Sequence, residues 1–380
     1  MNRLIPFALS ALLHVYVGWR LLPSIANWPW AAVLLAAILA FSYVLLHLGL
    51  RFRRRTHRYA DQLSWASMTA MGLFSSLFVF TMLRDALLLL AALVTLVAPV
   101  ARLSSIEVVS AFGVPFSALL ITAIGMWNAR RTASVVTIDV PIANLPDALH
   151  GFTIAQISDI HVGPTIKGPY VESIVNAVNR LTPDMVAVTG DLVDGSVTEL
   201  GHHVFPLSRL VSRHGTFFVT GNHEYYSGVH AWVIELRRLG IRVLLNEHVV
   251  LHHDSAALVI AGVTDDSAHH FDRAHRSNPL GAIANAPDHA LVRVLLAHQP
   301  RSAPEAANAG FHLQLSGHTH GGQFWPWNFF VRLQQPFTAG LHRLEGLWVY
   351  VSRGTGYWGP PKRFGAPSEI THLRLVRAVE

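Results

Sequence analysis

The sequence predicts two parts of different fold class: an all-α membrane domain in the first third and an α/β domain in the rest. Long apolar stretches fill residues 1–131, whereas short β-branched runs alternate with amphipathic stretches from residue 152 onward. Charge divides at the same place, because residues 1–131 carry 11 Lys/Arg and 3 Asp/Glu, and the remainder carries 18 and 20. We therefore predict a membrane domain at 1–131, a connector at 132–150 and a second domain at 151–380.

The composition limits the classes of function that fit. Of the 380 residues, 51% are hydrophobic and only 14% are charged, which is unusual for a wholly soluble protein. The formal net charge of +6 comes from the first third, where it flanks apolar stretches. A lipid bilayer is therefore an expected partner and a nucleic acid is not. No cysteine is present, so a transition metal must be held by imidazole, carboxylate or amide oxygen.

Four apolar regions predict membrane-spanning helices, since a span needs roughly 20 apolar residues. The regions are 4–22, 30–50, 65–100 and 107–127. The third is too long for one plain span and contains Arg84-Asp85. It is either a hairpin of two short helices or one long helix that leaves the bilayer. Arg84 and Asp85 are accordingly either an interfacial turn or a buried pair inside the membrane. A cleaved signal peptide is a poorer interpretation of the first region, because no clear cleavage site precedes Pro23.

The placement of arginine predicts the orientation in the membrane, because cytoplasmic loops are enriched in Lys and Arg. A dense cluster follows the second apolar region: Arg51, Arg53, Arg54, Arg55 and Arg58. Arg130 and Arg131 follow the last region. Four spans with a cytoplasmic N-terminus satisfy both groups, whereas five spans would place the second domain outside the cytoplasm. We expect a multi-pass protein of the cell membrane with its second domain in the cytoplasm.

The second part alternates predicted strands and helices, which is the pattern of an α/β domain. Predicted strands are Phe152–Ser158, Met185–Thr189, Thr216–Thr220, Leu258–Ala261, Arg293–Ala297, Leu313–Leu315 and Leu347–Val351. Predicted helices are Tyr170–Leu181 and Val229–Leu239, where apolar residues recur with a period near 3.6.

Chemically reactive side chains come directly after these strands. They form five blocks: Asp159-Ile160-His161, Gly190-Asp191-Leu192-Val193-Asp194, Gly221-Asn222-His223-Glu224, His298, and Gly317-His318-Thr319-His320-Gly321-Gly322-Gln323. In open α/β sheets, ligands bind at the carboxyl ends of the strands. We therefore expect the five blocks to meet at one edge and to bind a metal.

The order of these blocks resembles the calcineurin-like metallophosphoesterase superfamily over about residues 150–380. The likeness is greatest to its membrane-attached branch. Those proteins combine several N-terminal spans with the motifs seen at Gly221–Tyr226 and Gly317–Gln323. The resemblance implies a metallophosphoesterase-type β-sandwich flanked by helices. It also implies hydrolysis of phosphomonoester, phosphodiester or pyrophosphate bonds.

The resemblance further implies two divalent metal ions, with Asp191 bridging them. Ligands of the first ion would also include Asp159, His161 and His320. Ligands of the second would also include Asn222, His298 and His318. Mixed imidazole and carboxylate ligands suit Mn, Fe or Zn rather than Ca. Such a pair of ions lowers the pKa of a bound water and holds the attacking and leaving oxygens in line.

Three further residues receive roles from their position in the motifs. The resemblance makes His223 the catalytic residue that stabilises the transition state or protonates the leaving oxygen. Glu224 is expected to orient or charge His223. Asp194 is expected to hold its loop or a metal-bound histidine.

Other polar and aromatic residues are expected to have ordinary structural roles. The adjacent histidines His202-His203, His252-His253 and His269-His270 do not face one point, so we do not expect them to bind metal. Asp265, Asp266 and His269 form a surface loop or a lid. Phe324–Phe330 is a hydrophobic plug in the core or a lip that enters lipid headgroups. Arg332, Arg343 and Arg353 could bind a substrate phosphate, although solvation is the default.

Two rival functions remain open at this point. One is a membrane sensor or transporter with a regulatory metal-binding domain, although the spans contain few ionisable residues for a solute pathway. The other is a two-metal peptidase or amidohydrolase, which would need a different order of motifs. For a phosphoesterase, the expected partners are the bilayer and a phosphoester substrate, with lipid-linked pyrophosphates and phospholipids among the substrates to test.

Overall fold

The computed structural model describes residues 4–52, 59–96 and 103–378. The chain forms two compact units. The first is Met1–Asn128 with Gly359–Lys362, and the second is Ala129–Trp358 with Arg363–Glu380. Arg53, Arg54, Arg55 and Arg58 lie outside the described residues, so the orientation inferred from them stays a prediction.

The first unit consists of apolar helices. Its long helices are α1 Leu4–Leu21, α2 Pro29–Phe52, α3 Ala60–Thr95 and α4 Leu103–Arg130, the last of which continues into the second unit. Four helices among the described residues are long and apolar enough to cross a membrane. Their buried contact includes Val17, Leu35, Leu77 and Ala118, one from each helix.

Helix α3 is one continuous helix of 36 residues. At 1.5 Å per residue it is about 54 Å long, which exceeds the roughly 30 Å hydrocarbon thickness of a bilayer. Up to Thr95 the third region is therefore one long helix and not a hairpin of two helices, and its departure from the bilayer stays a prediction.

Arg84 and Asp85 lie inside α3, and both are paired. Asp85 accepts hydrogen bonds from Tyr16 (2.7 Å) and Arg20 (2.8 Å) of α1. The Arg84 side chain is buried and donates to Ser24 Oγ (2.8 Å) and to a backbone carbonyl of α4. The pair thus joins α1, α3 and α4, as a buried charge must be compensated by nearby partners.

The second unit contains two six-stranded sheets. In spatial order the first is β1 Ser134–Ile142, β12 Glu369–Arg377, β2 Thr153–Ile157, β3 Met185–Val188, β4 Thr216–Phe218 and β5 Arg242–Val243. The second is β10 Gly340–Leu344, β11 Leu347–Val351, β9 Leu313–Ser316, β8 Val292–Leu296, β7 Ala256–Gly262 and β6 Glu247–His253. The segment 132–150 contributes β1, which pairs in parallel with β12 along its whole length.

The sheets pack face to face, with helices on their outer faces. Ile154 and Phe217 of the first sheet share a buried cluster with Ile260 and Leu315 of the second. The outer face of the first sheet is covered by α5 Gly168–Asn179, α6 Val197–Val204 and α8 Val229–Arg238. The outer face of the second is covered by α9 Pro279–Ile283 and α10 Ala303–Asn308. Short helices α7 Asn222–Ser227 and α11 Asn328–Val331 complete the unit. This confirms the predicted sandwich of two sheets flanked by helices.

The central strands run in parallel and end together. Ile157 pairs with Val188, and Val188 with Phe218, at the end of β2, β3 and β4. Leu296 of β8 pairs with Leu315 of β9 in the second sheet. Because parallel strands buried on both faces present their carboxyl ends at one edge, the loops that follow them converge.

Candidate metal centre

The loops after the strands have an unusual backbone conformation. Five of the predicted metal-binding residues have backbone torsion angles in the left-handed region, which non-glycine residues seldom adopt. Their φ angles are 54° at Asp159, 56° at His161, 51° at Asp191, 69° at His318 and 52° at His320. Strain of this kind persists only where the surroundings hold it, and it is concentrated at functional sites.

Asp159, His161 and His320 form one group of possible metal ligands. His161 Nε2 lies 3.1 Å from His320 Nε2, and His320 Nε2 lies 3.4 Å from Asp159 Oδ1. All three residues are buried. The loops after β2 and β9, one from each sheet, therefore bring three donor atoms to one point.

Asp191, His298 and His318 form a second group. His298 Nε2 lies 3.2 Å from both Asp191 Oδ2 and His318 Nδ1. The loops that follow β3, β8 and β9 supply these three side chains.

Asp191 lies between the two groups. Its Oδ2 atom is 3.2 Å from His298 and 3.9 Å from His161, which belong to different groups. Burial would raise the pKa of Asp191, but the surrounding histidines, His298 first, hold it well below its ordinary value. A buried carboxylate that stays ionised suits a position between two cations.

Asn222 supplies the remaining predicted donor. It is buried, and its Oδ1 atom has no hydrogen-bond partner among the described residues. The next residue, His223, donates its backbone N–H to Asp191 Oδ1 (2.8 Å), which places Asn222 beside the second group. An unsatisfied buried oxygen is costly unless a ligand completes it, so Asn222 fits a metal.

Hydrogen bonds fix which imidazole nitrogen two of the histidines offer. His298 Nδ1 is 2.7 Å from the Thr189 carbonyl, and His161 Nδ1 is 3.2 Å from Asp194 Oδ1. Both partners accept the Nδ1 proton, so the Nε2 lone pairs of these two rings are available in the site, as expected of metal-binding histidines. His320 Nδ1 instead accepts from Arg363 Nη2 (3.1 Å), which holds the ring in position. The donor set therefore fits two divalent ions.

His223 is hydrogen-bonded to Asp194 and not to its sequence neighbour Glu224, which was the expected partner. Its Nδ1 atom bonds to Asp194 Oδ1, and its Nε2 atom is 4.0 Å from Asp191 Oδ2. Burial would lower the pKa of His223, but Asp191 and Asp194 outweigh burial and raise it to about 9. The protonated ring can donate a hydrogen bond, and its Nε2 atom is on the side of Asp191 and the other candidate metal ligands.

Glu224 instead holds backbone. Its Oε2 atom accepts from the N–H groups of Asp191 (3.0 Å) and Gly221 (2.7 Å), and Oε1 accepts from that of Leu192 (2.8 Å). Burial and the Asp191 carboxylate raise the pKa of Glu224 to about 8. This side chain ties the loop after β3 to the loop after β4.

Arg363 belongs to the site although no motif indicated it. It is buried, and its guanidinium donates to the carbonyls of His320 (2.9 Å) and Arg353 (2.7 Å). Burial lowers its pKa to about 10. A single arginine in Pro360–Gly365 carries no local signal, and only the fold shows what it contacts.

The other arginines and the acidic loop have partners of their own. Arg353 pairs with Glu369 (2.7 Å), and the Arg343 guanidinium lies 5.2 Å from the centre of the Trp348 ring. Asp265 is buried and accepts from Ser267 and Gln299, so it is not part of a plain surface loop.

The aromatic segment after the last motif is exposed apart from Phe324. Phe329 is 65% exposed and Phe330 is 52% exposed. The interpretation of this segment as a core plug is therefore wrong.

Comparison with known proteins agrees with this geometry. Residues 152–322 match the family model of the calcineurin-like phosphoesterases. A transmembrane protein with metallophosphoesterase domain from Bos taurus is 40% identical over 271 residues, which are 68% of this chain and 61% of that protein. Its counterpart from Danio rerio is 37% identical over 69% of this chain and 62% of that protein. The chain thus spans about three fifths of the length of these two relatives.

A smaller relative is covered more fully. An uncharacterized metallophosphoesterase of Aquifex aeolicus is 36% identical over 224 residues, which are 58% of this chain and 84% of that protein. The motifs, the two-sheet sandwich and these relatives agree. The chain is a membrane protein that belongs to the calcineurin-like metallophosphoesterase family, in its membrane-anchored branch.

Proposed function

We propose that this protein hydrolyses phosphomonoester, phosphodiester or pyrophosphate bonds with two divalent metal ions. The observation that carries the proposal is the meeting of two donor groups on Asp191. The first ion would be held by Asp159, His161, His320 and Asp191. The second would be held by Asn222, His298, His318 and Asp191. Mn, Fe and Zn are the metals that these ligands suit.

The metal pair, when bound, supplies an activated water and a clamp on the phosphoryl oxygens. The chain's own residues do the rest. Asp191 keeps a negative charge between the two positions. Asp194 holds the His223 ring so that its protonated Nε2 atom points toward the metal ligands. His223 donates this proton to the leaving oxygen of the substrate. Glu224 and Arg363 keep the loops and the His320 ring in place.

The test is hydrolysis of a chromogenic phosphodiester by the full chain in detergent, with Mn²⁺ added before and after chelation. Activity should disappear on chelation and return with Mn²⁺. Asp191→Asn and His318→Ala should abolish it. The exposed pair Asp288 and His289 offers matched controls, and Asp288→Asn and His289→Ala should remain active. Full metal occupancy without hydrolysis of any phosphoester would favour the regulatory membrane sensor instead.

We further propose that the substrate is lipid-linked. An aromatic rim, defined as Trp325, Trp327, Phe329, Phe330 and Trp358, is exposed, and helix α11 within it contacts the His320–Gly322 turn of the last motif. The Trp358 ring lies 5.7 Å from the His223 ring. Gln323 of the last motif bonds to both the N–H and the carbonyl of Trp358. An exposed apolar surface at the mouth of a site fits a ligand with an apolar part, and Trp and Phe favour the interface.

A comparison of substrates tests this rim. The double substitution Phe329→Ser and Phe330→Ser should lower kcat/KM roughly 10-fold for a phospholipid in mixed micelles, because apolar contact is lost. Hydrolysis of a water-soluble phosphodiester should stay nearly the same. Leu280→Ser is the control, since Leu280 is equally exposed but lies elsewhere. Equal losses on both substrates would refute the lipid assignment.

The topology is also a proposal: a membrane domain at 1–131 with four helices crossing the membrane, and a catalytic domain at 151–380 in the cytoplasm. The segment 132–150 connects them and also adds strand β1 to the first sheet of the catalytic domain. The absence of cysteine from the sequence makes the test simple. A single His289→Cys substitution places one thiol at an exposed position. A membrane-impermeant maleimide should label it only after the cells are opened. Labelling of intact cells would place the domain outside.

A further inference from the structure

A third cluster of metal-binding side chains lies apart from the proposed catalytic ligands. His230, Asp272 and His275 each offer one donor atom, and these atoms all lie within 4.8 Å of one another. His230 is exposed near the start of α8. Asp272 and His275 are half-buried in the loop that connects β7 to α9.

The donor atoms are free to face one ion. Asp272 Oδ2 lies 3.5 Å from His230 Nε2 and 4.0 Å from His275 Nε2, whereas Asp272 Oδ1 accepts the backbone N–H of Ala274. His275 Nδ1 is 2.9 Å from the Tyr225 hydroxyl. With the proton on Nδ1 donated to Tyr225, the Nε2 lone pair of His275 is available. Such an outer hydrogen bond is usual for a metal-binding histidine.

The distances suit a small divalent ion. Bonds of 2.0–2.1 Å in a tetrahedral site separate the ligand atoms by roughly 3.3 Å. The 3.5 Å distance between His230 and Asp272 is already close to this value, and a small rotation of His275 would shorten its 4.0 Å distance. Two imidazoles and one carboxylate are ligands that Zn²⁺ accepts, with water in the fourth position.

We propose that His230, Asp272 and His275 bind an additional zinc ion that fastens the β7–α9 loop to the start of α8. The loop contacts the motif helix α7 nearby, because Phe271 packs on Tyr225 (5.8 Å) and Tyr226 (5.5 Å). The Tyr226 ring in turn lies 5.2 Å from the His223 ring. The ion thus orders the loop that borders the proposed proton donor, and its role is structural. This site does not depend on the proposed activity.

Zinc content is the first test. The full chain in detergent is stripped with a chelator, incubated with Zn²⁺, freed of excess and analysed for metal. His230→Gln and Asp272→Asn should each hold one zinc fewer per chain than the unsubstituted protein. His269→Gln is the matched control, because His269 is an exposed histidine of the same loop, and it should hold the full number. Equal zinc in all these proteins would overturn the proposal.

Cleavage of the loop is a second test with an independent readout. Arg273 and Arg276 are exposed trypsin sites within the loop. Zn²⁺ should slow cleavage after both residues at least several-fold in the unsubstituted chain and in His269→Gln. In His230→Gln, Zn²⁺ should leave the rate unchanged. Since His230 is exposed, this variant should fold, and an unaltered thermal midpoint in the chelated state confirms it. Protection by zinc that persists in His230→Gln would contradict the proposed site. Hydrolysis of phosphoesters is a separate measurement, so either proposal can fail alone.

Discussion

At the scale of single residues, two carboxylates near His223 differ in what they contact. Asp194 reaches the imidazole rings of His161 and His223. Glu224, which follows His223 in the sequence, accepts backbone N–H groups instead. The helix that begins at Asn222 turns these neighbours in different directions. Adjacent position in a motif therefore does not decide which acid holds the histidine.

Replacing His223 should affect the leaving group rather than the metals. For His223→Asn we expect kcat to fall roughly 10²- to 10⁴-fold with an alkyl phosphoester, whose leaving oxygen needs a proton. The loss should be much smaller with a nitrophenyl ester, whose leaving group departs unprotonated. Steady-state kinetics on the two esters and metal analysis check this. Equal losses on both esters would assign His223 to binding instead.

Replacing Glu224 should lower stability. In Glu224→Gln, the amide NH₂ group must face at least one of the backbone N–H groups that the Glu224 carboxyl accepts, so a buried hydrogen bond is lost and a donor is left unpaired. We expect a loss of about 2–4 kcal/mol and a thermal midpoint lower by roughly 5–10 °C. The exposed Glu305→Gln on α10 should leave the midpoint in place. A stable Glu224→Gln protein with an altered pH profile would instead favour the role of orienting His223.

At the scale of elements, the turn between β9 and the last motif depends on close packing at Gly317. A Cβ atom at this position would overlap Ser158 Oγ and Asp159 Oδ2. Gly317→Ala should therefore displace Asp159 and lower bound metal by at least one ion per chain. Gly346→Ala, in the turn between β10 and β11 with open space around it, should bind metal normally. Metal analysis of both variants decides the point.

The strands differ in how well the sequence predicts them. β2, β3 and β8 consist mostly of buried apolar residues, since both faces of each strand are covered, and the sequence predicts them within about a residue. β6 and β12 were not predicted. β12 alternates buried and exposed residues and pairs with β1, more than 200 residues away in the chain. Local pattern cannot reveal a partner at that distance.

The same reasoning applies to the centre. The order of the motifs predicts which side chains meet, because each block follows a strand. Asp194 bonds to His161, which is one of the two roles expected of it from the motif. The contacts of Glu224 and Arg363 depend on side-chain direction and on partners distant in the chain, which no periodicity describes, so these two assignments needed the structure.

The β8–β9 pair also predicts a pH effect on stability. His312, just before β9, accepts the N–H of Arg293 at Nδ1 (3.1 Å). Burial, aided by the Arg293 charge, lowers the pKa of His312 below its ordinary value of 6.5. The folded state thus binds fewer protons than the unfolded state, and this contribution to stability, present above pH 6.5, is lost as the pH falls below it. His312→Asn keeps an acceptor that does not titrate. Between pH 7.5 and 5.5, its thermal midpoint should fall less than that of the unsubstituted chain, whereas an equal fall would exclude His312.

At the scale of the whole molecule, the proposed centre draws ligands from both sheets. Asp159, Asp191 and Asn222 follow strands of the first sheet, and His298 and His318 follow strands of the second. Ions bound there would link the two layers of the sandwich at one edge. Metal binding should then stabilise the folded domain as a unit, because the unfolded chain does not assemble the ligands.

Removal of metal tests this link. Saturating Mn²⁺ should raise the thermal midpoint of the chelated full chain by roughly 5–10 °C, since a ligand at 1,000 times its Kd contributes about 4 kcal/mol. In Asp191→Asn the increase should be at most half as large, because the residue between the two groups no longer carries a charge. His289→Ala should keep the full increase, because His289 is exposed and lies outside both proposed metal sites. Scanning calorimetry with and without Mn²⁺ measures all three proteins. An increase in Asp191→Asn equal to that of the unsubstituted chain would mean that the stabilising ions bind elsewhere, and the two sheets would then have no metal link through Asp191.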